Sequence, residues 1–112
     1  MDTIDIQAID NIELVFLKIE DYEDIKKVMI ASYPNMPTAY WKEHHIKTLI
    51  EKFPEGQVGI KIDNELAGCA LSIIVNYSKF DEKHTYNEIT GHYTFKTHDP
   101  KGDKLYGIDV FI

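Results

Sequence analysis

The residues whose types could do chemistry are five histidines, one cysteine and an aspartate set in an apolar terminal run. His44 and His45 are adjacent, so on a helix they diverge by about 100° and cannot hold one ion from the same face. His84, His92 and His98, with Asp81 or Asp99, can meet in one long loop, but their spacing matches no common zinc pattern. Local hydrogen bonding is the expectation for them, and no metal site is expected. Asp99-Pro100-Lys101-Gly102-Asp103 lacks the twelve-residue ligand rhythm of a calcium loop and reads as a tight turn. No serine is glycine-flanked as a nucleophile, and the six glycines never cluster into a phosphate cradle. Cys69, within Gly68-Cys69-Ala70-Leu71, reads as a small buried hydrophobe rather than a reactive thiol.

Two features exceed this plain reading. The stretch from Phe80 to His98 is rich enough in aromatic and histidine residues to line a pocket. Asp109 stands among apolar neighbours, where burial without a partner is costly and desolvation raises a carboxylate pKa, as suits a general base. The competing reading is that Asp109 faces solvent or pairs with a neighbouring strand.

The elements that must position these residues follow from periodicity. Residues 1–11 are an acidic lead-in, and Ile12 to Leu17 reads as a strand from its branched and aromatic residues. Glu20 to Tyr33 reads as a helix with Tyr22, Ile25, Val28, Met29 and Ser32 on one face, acids in its first turn and Pro34 stopping it. Pro34 to Pro37 is turn chemistry. Thr38 can cap a second helix running to about Phe53, with Trp41, His45, Leu49, Ile50 and Phe53 as its apolar stripe. Gln57 to Asp63 alternates as a strand, and Asp63-Asn64-Glu65 is a hairpin turn. Glu65 to Tyr77 returns as a central strand with Gly68 marking a bulge. A long excursion over 78–104 holds a short helix near Tyr86 to Thr90 and is expected to be ordered. Lys104 to Ile112 is the last strand, whose alternation puts Asp109 opposite Ile108 and Val110.

At 112 residues the chain is one domain at most, with a modest core. Twelve basic against nineteen acidic residues give a net charge of −7, which argues against nucleic-acid backbone and anionic membrane surfaces as partners. Hydrophobic residues at 44% and charged residues at 28% are ordinary globular composition. No apolar run approaches the roughly 20 residues of a membrane helix, no secretory signal is visible, and a reduced, cytoplasmic setting is expected.

The order strand, helix, helix, two-stranded hairpin, excursion, strand resembles the first half of the GNAT acyltransferase fold. Phe53-Pro54-Glu55-Gly56-Gln57, His84-Thr85-Tyr86, Glu88-Ile89-Thr90-Gly91, Thr97-His98-Asp99-Pro100 and Gly102-Asp103 before Leu105-Tyr106-Gly107-Ile108-Asp109-Val110-Phe111 look like a particular bacterial branch. In that branch the GNAT domain precedes a carbon–nitrogen hydrolase domain. The resemblance covers about 12–112 and implies an α+β fold: two helices against a mostly antiparallel four-stranded sheet. It implies acetyl-CoA as cofactor, bound by the backbone of Val110, Phe111 and Ile112, an amine substrate, and Asp109, His98 or Tyr106 as proton acceptor. The family's glycine-rich pyrophosphate loop would follow Ile112, so the chain is expected to be part of an acetyltransferase and inactive alone. The alternative is a non-catalytic assembly module that self-associates through its terminal strand.

Overall fold

The computed structural model describes residues 11–33, 35, 41–80 and 83–112. The lead-in before Asn11, the stop at Pro34, the cap at Thr38 and the carboxylate of Asp81 lie outside the described residues.

Strands β1 (Ile12–Phe16), β2 (Val58–Ile62), β3 (Glu65–Val75) and β4 (Lys104–Phe111) form one antiparallel sheet in the order β1-β2-β3-β4. β2 and β3 are joined by a two-residue turn in which Asp63 and Asn64 both take positive φ, +50° and +70°. That left-handed pair matches the twist of the strands it connects, and Asp and Asn are the side chains that tolerate it. β3 is an inner strand, as its apolar run implied, flanked by β2 on one side and β4 on the other.

Helices α1 (Tyr22–Ser32) and α2 (Glu43–Lys52) cover one face of the sheet. α1 turns Tyr22, Ile25 and Met29 inward, close to the expected face. α2 starts later than its periodicity suggested. Lys42 is extended (φ −81°, ψ 166°) and donates its backbone N–H to Nδ1 of His45, so the helix begins at Glu43. Trp41 therefore precedes α2 instead of heading its stripe, and Ile46 and Leu49 are the helix's buried residues. Burial of each such Ile or Leu contributes about 1.5–3 kcal/mol.

The excursion joins the same core through Ile89 and Phe95, both fully buried. Its short helix α3 (Tyr86–Ile89) is capped by Thr85, whose side chain accepts the Glu88 N–H. Beyond α3 the backbone is left-handed at Gly91, His92, Tyr93 and Phe95. Such conformations cost bulky residues free energy, which the burial of Phe95 and bonds such as Phe95 N–H to the Thr90 carbonyl (2.9 Å) offset.

Among the described residues the opposite face is exposed over β1 and the neighbouring parts of the sheet. Register lines up Leu14, Ile60 and Gly68 in one row, and Phe16, Val58, Ala70 and Val110 in the next. Phe16 is 61% exposed, and Leu14 (73%), Val110 (64%) and Ile112 (81%) stand around an apolar hollow of about 120 Å³.

Both outer pairings of β3 carry bulges. The expected one sits where Ile60 pairs with Gly68 but Lys61 with Leu66, leaving Ala67 extra. The other is in β4, where Leu71 pairs with Asp109 and Ser72 with Gly107, leaving Ile108 extra. This second bulge corrects the expected alternation. Ile108 is buried, and Asp109 also turns toward the helices, because a bulge carries neighbouring residues to one face.

Candidate functional site

The β4 bulge is held by side chains from three other segments. Tyr33, just past α1, donates its hydroxyl to Oδ1 of Asp109 at 2.8 Å. Trp41, just before α2, donates its indole N–H to Oδ2 at 2.9 Å. Both ends of the α1–α2 connection are thus fixed to one carboxylate. From α3, the Tyr86 hydroxyl donates to the Ile108 carbonyl at 2.8 Å. Further along, the Ser32 hydroxyl donates to the Ile112 carbonyl at 2.8 Å, and the rings of Tyr33 and Phe111 lie 6.5 Å apart.

An arc of rings surrounds this point. Tyr106 lies 6.3 Å from Tyr86, Tyr86 6.1 Å from Tyr93, and Tyr93 5.7 Å edge-on to Trp41. Trp41 in turn packs against His45 at 5.6 Å and Phe95 at 6.0 Å. Edge-to-face contacts at these separations add roughly 0.5–1.5 kcal/mol per pair beyond area burial. Of the excursion's rings, Tyr86, Tyr93 and Phe95 go to this wall of the core, whereas Phe80 and His98 line a separate open hollow of about 470 Å³, as a pocket-lining loop would.

Burial, its bond to Asp109 and that carboxylate's charge push the Tyr33 hydroxyl up to about 12, so it stays a donor at neutral pH. Burial and then Tyr77 raise Tyr106 above its ordinary value. Tyr106 pairs with Ile73 across the sheet, and its ring reaches α3 through Tyr86, on the side to which Asp109 turns.

His98 stands elsewhere. β2 ends opposite Ala70, and the edge of β3 beyond it is completed by side chains. Gln57 gives its amide N–H to the Ser72 carbonyl (2.7 Å) and takes the Ser72 N–H (3.0 Å). Nδ1 of His98 then accepts the Ile74 N–H at 3.1 Å, and the Asp99 N–H donates to the Ile74 carbonyl at 2.7 Å. The His98 ring stacks on Phe53 at 5.0 Å. An Nδ1 that accepts a backbone N–H carries no proton, so the neutral ring's proton sits on Nε2. Burial lowers the His98 pKa, with Lys52 adding to the shift and Asp99 and Glu55 opposing it. His45 has the same arrangement on the Lys42 N–H and is lowered by burial, His44 and Lys42. Of the three expected proton-transfer residues, the fold thus brings Tyr106 and Asp109 to one side of β4 and leaves His98 across β3.

Among the described residues no group of three or more His, Cys, Asp or Glu converges to hold a metal ion. His84 packs its ring against Tyr77 and Phe80. Cys69 is buried, and desolvation, then Asp21, pushes its thiol up to about 12. No helix among the described residues is long and apolar enough to cross a membrane.

The element order, the two helices on one face and the four antiparallel strands make this the fold of a GNAT domain. Comparison with solved structures agrees: the loading GNATL domain of CurA from Lyngbya majuscula superposes with a TM-score of 0.71 over 92% of the chain, at 18% identity. The GphF GNAT-like decarboxylase, solved in complex with isobutyryl-CoA, gives 0.65 over 89% at 12% identity. In each case the chain covers 48% of the other structure. Among curated proteins, the probable hydrolase YhcX of Bacillus subtilis (strain 168) is 32% identical over 103 residues, 89% of this chain and 20% of that protein. The uncharacterized N-acetyltransferase YkwB of the same organism is 29% identical over 72 residues, 64% of the chain and 32% of that protein. The chain therefore spans a third or less of these curated relatives. No family model matches the sequence.

Proposed function

We propose that residues 12–112, after a lead-in over 1–11, are the amino-terminal portion of an acyl-CoA-dependent N-acyltransferase, with acetyl-CoA as cofactor and an amine as acceptor. The observation that carries this reading is β4. It is an edge strand of the sheet, bonded only to β3 among the described residues, and it carries a fixed bulge. The backbone of Val110, Phe111 and Ile112 would bind the pantetheine amides as an added strand does, with an amide N–H polarising the thioester carbonyl. The amine nitrogen would attack that carbonyl, the thiolate would leave, and a neighbouring group would take the ammonium proton. Asp109, Tyr106 and His98 are the candidates; Tyr106 shares a face of β4 with Asp109, and both carboxylate oxygens of Asp109 already accept bonds from Tyr33 and Trp41. Support for the cofactor class comes from GphF, solved with isobutyryl-CoA, and from YkwB, an N-acetyltransferase by name.

The polypeptide is proposed to be cytoplasmic and incomplete as an enzyme over these residues. The exposed apolar face and the 48% coverage of solved GNAT domains support incompleteness. The likeness to a probable hydrolase supports a downstream carbon–nitrogen hydrolase domain. Titration calorimetry with acetyl-CoA tests the proposal. Binding is expected from a polypeptide extended past Ile112, and no heat from that longer chain overturns it. The second reading, assembly through β4, rests on the same unpaired edge. A monomeric mass by light scattering at high concentration counts against it.

A further inference from the structure

A carboxylate whose two oxygens each accept a bond from a neutral donor is fixed in orientation. Asp109 is in that state, and its partners join the β4 bulge to both ends of the α1–α2 connection. The adjacent residue in the bulge is held from the excursion, through the Tyr86 hydroxyl on the Ile108 carbonyl. A bulge re-aims the backbone that follows it, so whatever fixes its conformation also fixes the direction of the groups at Val110. We infer that Asp109 is a positioning residue, and that Tyr33, Trp41 and Tyr86 with it form a brace that sets the backbone of β4 at Val110 for the acyl thioester. This deepens the acyltransferase reading and rests on it for the ligand, while the brace itself is a property of the chain.

The brace and a proton-accepting role for Asp109 separate in a four-variant set: Asp109→Asn, Tyr33→Phe, Trp41→Phe and Tyr86→Phe. The last three leave the carboxylate in place. For the brace, amide exchange over residues 107–111 is expected to quicken several-fold in all four, while the α1 amides keep their rates. In the extended polypeptide the acetyl-CoA Kd should rise several-fold in every variant, and Asp109→Asn should keep the shape of its pH–rate profile. An Asp109→Asn protein that loses turnover and one limb of that profile, beside three other variants with unchanged Kd, would overturn the inference in favour of a base. Unchanged exchange over 107–111 in all four would overturn it too. If Asp109→Asn does not fold, the other three variants decide by exchange and Kd. If the unaltered polypeptide binds no acetyl-CoA, the acyltransferase reading fails, and the exchange rates still decide the brace.

Discussion

The Tyr33 hydroxyl lies 2.8 Å from Oδ1 of Asp109, a bond between residues 76 positions apart that ties the end of α1 to the edge strand. Burial, and then this bond and the charge of Asp109, raise the folded-state phenol to about 12 against about 10 unfolded, a difference that is in full effect below pH 10 and is lost as pH rises toward 12. Spectrophotometric tyrosine titration should show a group near 12 that moves toward 10 in Asp109→Asn. A titration curve unaltered by the substitution would count against the bond.

Gln57 is fully buried and exchanges two bonds with the backbone of Ser72. Gln57→Leu should leave a strand N–H and C=O without those partners. Two orphaned backbone groups, at about 1–3 kcal/mol each, imply a loss of about 2–6 kcal/mol. Urea unfolding would measure it as a lower midpoint.

Acid should loosen the fold through His45 and His98. Both pKa values are lowered in the folded state, so the unfolded chain takes up protons first as pH falls. Their contribution is intact above about 6.5 and declines as pH drops through that value toward the folded one. Protonation at Nδ1 also ends the bonds to Lys42 and Ile74. His98→Asn keeps an acceptor near the Nδ1 position without a titrating ring, so its Tm should vary less between pH 7.5 and 5.5 than that of the unaltered chain.

Two glycines near and in β4 should respond in opposite ways to alanine. A Cβ at Gly102 would lie 2.4 Å from the Val75 carbonyl oxygen, a backbone atom with little room to retreat. A loss of about 1–3 kcal/mol is expected there. A Cβ at Gly107 meets nothing within 4 Å, so Gly107→Ala should change stability by less than about 1 kcal/mol. Thermal melts of the pair test the contrast directly.

Cys69 should be silent toward thiol reagents in the folded protein, since its thiol is buried and raised to about 12. Ellman's reagent should react only on addition of denaturant. Rapid labelling under native conditions would contradict the burial.

The strands and the facing helices were legible because apolar spacing reports which side of an element is covered. The Asp63-Asn64 turn was equally plain, since few other pairs accept two left-handed residues. The start of α2 was not legible, because periodicity carried Trp41 into the helix while a local bond from Lys42 to His45 decides where it begins. At the site, an aspartate in an apolar strand signalled that partners must exist, but not which ones. Tyr33, Trp41 and Tyr86 are 76, 68 and 22 positions from the atoms they hold, distances that no local pattern records. The bulge also reversed a face assignment, since alternation holds only while the ladder keeps step.

The way β3 is finished beyond β2 has a consequence for how this fold can vary between relatives. Among its described residues the excursion forms no strand; it touches the edge of β3 through one imidazole and one N–H at Ile74 and returns through the Asp103 N–H on the Val75 carbonyl. The stretch between Phe80 and Thr97 is held instead from the core side, by Ile89 and Phe95 and by the Tyr86 hydroxyl on Ile108, so any replacement for it must supply two apolar anchors and a hydroxyl. The stretch that brings Tyr86 to the bulged edge thus lies outside the sheet, so a change within it can alter that edge without touching β4 itself.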